Sequence, residues 1–71
     1  MNYVTNDGVA VKIGDYVSDN SIGETYVVTA LTENAAYMDE LIWNDDTDTY
    51  DKNGDYRALT PAEFKHKIAF N

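Results

Sequence analysis

The chain has no cysteine and only one histidine, one proline and five lysine or arginine residues among its 71. The absence of cysteine excludes disulfides and the cysteine-based zinc sites. The one histidine, His66, stands between two lysines, so no nucleophile–base–acid set is apparent for covalent catalysis. No GxGxxG or GxxxxGK[ST] phosphate-binding loop occurs either. We therefore expect a protein that is not an enzyme and that binds no cofactor.

Long apolar runs are also missing, since no stretch approaches the ~20 apolar residues of a membrane span. The first residues, Met1–Thr5, lack the basic and apolar regions of a signal peptide. Thirteen acids against five bases give a net charge of −8, which repels nucleic acids and anionic membranes. With 44% hydrophobic residues, the chain is too apolar for an acidic disordered tail. These features predict one cytoplasmic domain over residues 1–71, with no direct contact to nucleic acid or membrane.

The first 32 residues show the turn residues and the β-branched runs of β structure. Asn6-Asp7-Gly8 is a turn signal, and Gly14-Asp15 interrupts the apolar pattern. Strands are predicted over Val9–Lys12, Tyr16–Ser18 and Glu24–Leu31, with a loop from Asp19 to Gly23. Nine aromatic residues are expected to supply much of the core of so small a domain.

Residues 33–44 fit two templates. As a helix they place Ala35, Met38, Leu41 and Ile42 on one face, and this reading is favoured. As a strand they place a carboxylate on each face, Asp39 on one and Glu40 on the other.

The last third of the chain shows a hairpin signal followed by a helix signal. Asn53-Gly54 is typical of a type I′ turn between two strands. Thr60 as N-cap, Pro61 in the first turn and Glu63 in a capping box predict a helix from Pro61 to about Ala69.

Negative charge is concentrated between Asp39 and Asp55. Those 17 residues hold seven acids and one base, Lys52, and so a local charge of −6. If residues 46 and 48 lie on an extended strand, their carboxylates project about 6.6 Å apart. That separation is of the order of neighbouring phosphates along a nucleic-acid strand. The alternative is that the acids only keep a small protein soluble.

A calcium loop was tested against the same segment. The EF-hand pattern needs carboxylates at its first and twelfth positions and glycine at its sixth. With Gly54 at the sixth position, Thr49 and Thr60 occupy the first and twelfth. With Asp51 first, Tyr56 stands where glycine is required. The motif fails in both registers, so we predict no metal site. Calcium-dependent structure is the third hypothesis.

Two segments resemble small SH3-like β-barrels of the phage-encoded inhibitor type. They are Val11-Lys12-Ile13-Gly14-Asp15-Tyr16-Val17 with Gly23-Glu24-Thr25-Tyr26-Val27-Val28, and the closing Leu59-Thr60-Pro61-Ala62-Glu63-Phe64. The resemblance implies a binding or inhibitor module that blocks a host nucleic-acid-binding protein, in some cases by imitating DNA. We accordingly expect a β-rich α+β fold, either a small antiparallel sheet or an SH3-like barrel, with a C-terminal helix.

The favoured functional hypothesis is a small acidic inhibitor that docks on a basic partner protein, with nucleic-acid-binding proteins as the candidates. The alternative is a structural or accessory domain that assembles through apolar surface with a larger complex or with itself, as a homodimer. The residues expected to bind the partner are Asp39, Glu40, Asp45, Asp46, Asp48, Asp51 and Asp55, with Trp43, Tyr50 and Tyr56 beside them.

Overall fold

A computed structural model describes residues 2–71, so Met1 of the predicted β region lies outside the described residues. Within these residues, five strands form one sheet in the order β4-β3-β2-β1-β5, and every neighbouring pair is antiparallel. This confirms the expected β-rich α+β class. The elements are β1 (Tyr16–Asp19), β2 (Glu24–Leu31), β3 (Ala36–Asn44), β4 (Thr49–Leu59), α1 (Pro61–Lys67) and β5 (Ile68–Phe70).

The turn predicted at Asn6-Asp7-Gly8 is present, with Gly8 at φ 84°. The strand predicted over Val9–Lys12 is wrong, because among residues 2–71 a single isolated bridge, Val4 to Ala10, joins the two sides of that turn. The chain is held there by single hydrogen bonds, such as the 3.0 Å bond that the Val11 amide donates to the Tyr3 carbonyl.

The favoured helix over residues 33–44 is wrong, because Ala36–Asn44 forms the third strand. β3 lies between β2 and β4 and therefore has both its backbone edges hydrogen-bonded. Met38 is fully buried on one face and Leu41 is 8% exposed on the other. A central strand that packs on both faces does not alternate regularly between apolar and polar residues. The spacing of its apolar residues can then match that of one face of a helix.

The hairpin turn predicted at Asn53-Gly54 is also wrong, because both residues lie inside β4. The chain reverses instead at residues 45–48, between the paired residues Asn44 and Thr49. Asp39 pairs with Tyr56 and Leu41 with Lys52, so that three residues of β4 bulge opposite Glu40. Gly54 supplies the positive φ of 80° at this bulge.

The C-terminal helix begins as predicted. The Glu63 amide donates to the Thr60 hydroxyl, and the Glu63 carboxylate accepts from the Thr60 amide. It ends at Lys67 rather than near Ala69, because Ile68–Phe70 turns extended and pairs with β1 as the edge strand. Ile68 is fully buried in this extended conformation. Pairing with β1 is therefore favoured over another turn of helix.

The core lies between the inner face of the sheet and α1. Only three of the nine aromatics are buried in it, Tyr3, Tyr26 and Phe64, while the other six are at least 36% exposed. The expectation that aromatics supply much of the core therefore holds only for those three. The cluster comprises Tyr3, Val11, Val17, Tyr26, Val28, Ala36, Met38, Leu59, Phe64 and Ile68.

Candidate functional site

The β3–β4 hairpin extends beyond the rest of the sheet. The last pair that joins β2 to β3 is Thr25 with Leu41, whereas β3 and β4 remain paired as far as Asn44 and Thr49. We call the paired segments 41–44 and 49–52 with their turn the hairpin arm. Most of the arm is exposed, including Ile42 at 50%. Because so little of it is covered, the arm contributes surface rather than core.

The tip of the arm carries three exposed acids, Asp45, Asp46 and Asp48. The Asn44 side chain organises this turn, since its Oδ1 accepts from the Asp46 amide at 2.9 Å and its Nδ2 donates to Asp51 at 2.9 Å. Asp48 adopts a left-handed conformation with φ 53°. Asp46 and Asp48 therefore lie in a turn, and the predicted 6.6 Å spacing along a strand is wrong.

The four remaining acids of the predicted band are separated by the fold. Asp51 and Asp55 are exposed, whereas Glu40 is half-buried and accepts a hydrogen bond from Asn53 at 2.5 Å. Asp39 is only 5% exposed, and its Oδ1 has no hydrogen-bond partner among the described residues. The band is thus five exposed carboxylates on and beside the arm, with one half-buried and one buried member.

The predicted aromatic residues are partly brought together. Trp43 and Tyr50 face each other across the arm, with ring centroids 5.1 Å apart. Tyr50 also contacts Tyr16 of β1, at 5.8 Å between centroids and 87° between planes. Tyr56 lies further along β4 and is 68% exposed. We call Tyr16, Trp43 and Tyr50 the aromatic face.

The contact between Tyr16 and Tyr50 shows that the arm curls over the sheet. β4 is three strands away from β1, which in a flat sheet is about 14 Å sideways. Tyrosine rings that far apart do not reach each other, so the arm bends towards β1 on the face of the sheet opposite the core, which we call the outer face. The bulge opposite Glu40 sits where that bend begins. Sequence reasoning missed Tyr16 as a member of this surface, because nothing local links positions 16 and 50.

On the inner face, sequence reasoning also missed a polar cleft of about 300 Å³. Arg57 lies 3.6 Å from Glu24 and over the Tyr26 ring, at 5.8 Å from its centroid. The hydrogen bond from the Tyr26 hydroxyl, with the Glu40 contact and Arg57, lowers the pKa of Glu24, while burial raises the pKa of Tyr26. In the sequence, the two-residue spacing of Glu24 and Tyr26 on a predicted strand was the one sign that these two side chains share a face. The cleft is lined by Glu24, Tyr26, Glu40, Asp55, Tyr56 and Arg57.

Three further observations bear on function. Within residues 2–71, no group of three or more His, Asp or Glu side chains is arranged to hold a metal ion. No helix in that part of the chain has the length and apolar character to cross a membrane. Comparison with protein-family models, with curated proteins and with solved structures found no match to this chain.

Proposed function

We propose that this protein is a protein-binding inhibitor that presents the acidic hairpin arm to a basic surface of its partner. The observation that carries the proposal is the tip, where Asp45, Asp46 and Asp48 are all exposed at the end of an arm that contributes little to the core. A tip that only connected two strands would not require three carboxylates in four residues. Lys52 is the one base on the arm.

Electrostatics supports docking on a basic surface more than on any other. Exposed carboxylates each contribute little to affinity because water and salt screen them. Grouped on one projecting element, they speed the association with a positively charged partner and orient it. The polar cleft adds to this field, because the carboxylates of Glu24, Glu40 and Asp55 line it together with a single guanidinium, that of Arg57.

We infer further that the partner is a nucleic-acid-binding protein and that the inhibitor acts in the cytoplasm. Such partners have basic channels, which an acidic arm fits by charge. The resemblance to small phage-encoded inhibitors supports the same function. The carboxylates do not follow a strand at regular spacing, so the imitation of DNA would be one of charge rather than of phosphate geometry.

We also infer that the sheet is coiled as in an SH3-like barrel. The two edge strands, β4 and β5, are joined by Thr60 and the seven residues of α1, which span about 10 Å as a helix. The edges of a flat five-stranded sheet lie about 19 Å apart. Strong coiling brings them close enough for this short connection.

The test is binding to purified basic proteins at several salt concentrations. The panel contains nucleic-acid-binding proteins and, as matched controls, cytochrome c and lysozyme, which are basic but are not built around a nucleic-acid-binding channel. We expect selective binding to a nucleic-acid-binding protein that weakens with salt and is lost when Asp45, Asp46 and Asp48 are changed together to Asn. Binding that ignores salt, or that survives the triple change, contradicts the proposal.

A second candidate is supported by β4, which forms one edge of the sheet over 11 residues. An edge strand of that length offers unpaired backbone groups to another strand. The protein would then pair with a second copy or with a larger assembly. Sedimentation at rising concentration separates the two functions, because a monomer at all concentrations opposes self-assembly and leaves the inhibitor proposal intact.

A further inference from the structure

The outer face of the sheet combines exposed aromatic rings with a buried carboxylate. Tyr16 pairs with Val27, and Val27 pairs with Asp39, so these three side chains point to the same face across three adjacent strands. Trp43 lies four residues beyond Asp39 on β3 and therefore also points to this face. The aromatic face and Asp39 thus share one side of the sheet.

The rings of the aromatic face remain open although they touch one another. Tyr16 is 44% exposed, Trp43 49% and Tyr50 36%. Ring faces carry negative potential and attract cations, with tryptophan the strongest of the three types. All three rings therefore pack on one another and still keep part of their surface accessible to a partner.

Asp39 supplies the second observation. Its Oδ1 is buried without a hydrogen-bond partner among the described residues, and the residues paired with it, Val27 and Tyr56, bring no positive charge. A buried carboxylate left in this condition destabilises the free protein. Its field is weakly screened by the surrounding protein and therefore adds to the negative potential above the rings.

We propose, as a deepening of the docking function above, that the aromatic face binds an arginine side chain of the basic partner, with Asp39 as the charge behind the rings. Guanidinium is planar, stacks on aromatic rings and is less strongly hydrated than ammonium. The chain already shows this chemistry internally, where Arg57 lies over Tyr26 and beside Glu24. The aromatic face likewise places aromatic rings and a carboxylate on one side of the sheet.

The experiment uses a hexa-arginine peptide as the probe, with hexa-lysine at the same salt for comparison. Trp43 is the single tryptophan, so its fluorescence reports events at this face, and calorimetry gives the affinity. We expect hexa-arginine to change the fluorescence and to bind more tightly than hexa-lysine. Binding that leaves the Trp43 signal unchanged, or that is equal for both peptides, overturns the proposal.

Matched variants separate this face from general attraction between charges. Asp39→Asn removes the buried charge at nearly constant volume, and Asp51→Asn removes one charge from the opposite face of the arm. We expect Asp39→Asn to weaken hexa-arginine binding roughly fivefold or more, as the loss of a weakly screened negative charge behind the rings implies, and Asp51→Asn less than twofold. Equal effects of the two variants mean that only net charge matters and overturn the proposal.

A third variant keeps the test decisive if Asp39→Asn fails to fold. Tyr16→Leu removes one ring while leaving every carboxylate in place, and it must also weaken hexa-arginine binding while circular dichroism stays unchanged.

Failure of the docking function can be told apart from failure of the arginine site. Suppose that the basic protein no longer binds the variant with the three tip acids changed to Asn but still binds Asp39→Asn and Tyr16→Leu. The inhibitor proposal then stands and the arginine site is refuted. If Asp39→Asn and Tyr16→Leu weaken hexa-arginine binding while no basic protein of the panel binds the parent protein, the arginine site stands and the inhibitor proposal is refuted.

Discussion

Tyr50 lies directly opposite Trp43 across the hairpin arm, with the rings 5.1 Å apart and inclined at 75°. This edge-to-face contact stabilises an arm that has little other packing. We expect a double-mutant cycle with Trp43→Ala and Tyr50→Ala to give a coupling of ~0.5–1.5 kcal/mol in urea unfolding. Ile42 and Asp51, the adjacent pair, serve as the control, and their cycle should be near zero. Equal coupling in both cycles would show that the aromatic contact has no special role.

Phe64 anchors α1 on the core, fully buried and edge-to-face against Tyr3 at 5.4 Å. Phe64→Ala should cost ~3–5 kcal/mol, a large part of the ~4–10 kcal/mol expected for a domain of this size. Phe70→Ala is the matched control, because Phe70 is 41% exposed, and it should cost about 1 kcal/mol or less. Chemical unfolding measures both. Similar losses for the two variants would contradict the burial of Phe64 and the exposure of Phe70.

Two residues of the hairpin have left-handed backbone conformations, and their substitutions should change the stability of the protein in opposite directions. Gly54 has φ 80° and Asp48 has φ 53°, a conformation that costs a residue with a side chain ~1–2 kcal/mol. Gly54→Ala should therefore destabilise the protein by about that amount, while Asp48→Gly should stabilise it by up to ~1 kcal/mol. Thermal unfolding gives the signs. A stabilising Gly54→Ala would mean that the bulge in β4 is absent.

Asp7 ties the N-terminal turn to the last strand, and its carboxylate should make stability depend on acid pH. The hydrogen bond from the Thr5 hydroxyl, followed by that from the Phe70 amide, holds the pKa of Asp7 below its ordinary 3.8. A lowered folded pKa means that the stabilisation is complete above about pH 4 and is lost as pH falls through the folded value.

We therefore expect Asp7→Asn to lower the urea midpoint at pH 7 and to converge with the parent protein in strong acid. Thr5→Ser keeps the hydroxyl donor and should retain the acid dependence of the parent. If Asp7→Asn shows the same difference from the parent at every pH, the carboxylate has no preferential stabilisation in the folded state.

The N-cap of α1 gives a further check on the C-terminal third. Thr60→Ala removes the hydroxyl that accepts from the Glu63 amide and should cost ~1 kcal/mol. Thr60→Ser retains that oxygen and should leave the stability nearly unchanged, because serine is at least as good an N-cap as threonine. A difference between the two variants in the melting temperature measures the cap, and identical melting temperatures would contradict its contribution.

The sequence by itself determined those features that depend on neighbouring residues. The capping box of Thr60 and Glu63, the turn at Gly8 and the β-branched run of β2 follow from local conformational preference and were predicted correctly. The concentration of acids between Asp39 and Asp55 is likewise a property of composition, visible before any fold.

Only the tertiary structure decided the features that depend on pairing partners. Residues 36–44 are a strand because β2 and β4 hydrogen-bond to both edges, and that choice moves the turn from Asn53-Gly54 to residues 45–48. The same pairing buries Asp39, exposes the tip acids and brings Tyr50 to Tyr16. The physical reason is range, since helix preference and turn signals act over a few residues, whereas sheet register is set by packing between segments far apart in the chain.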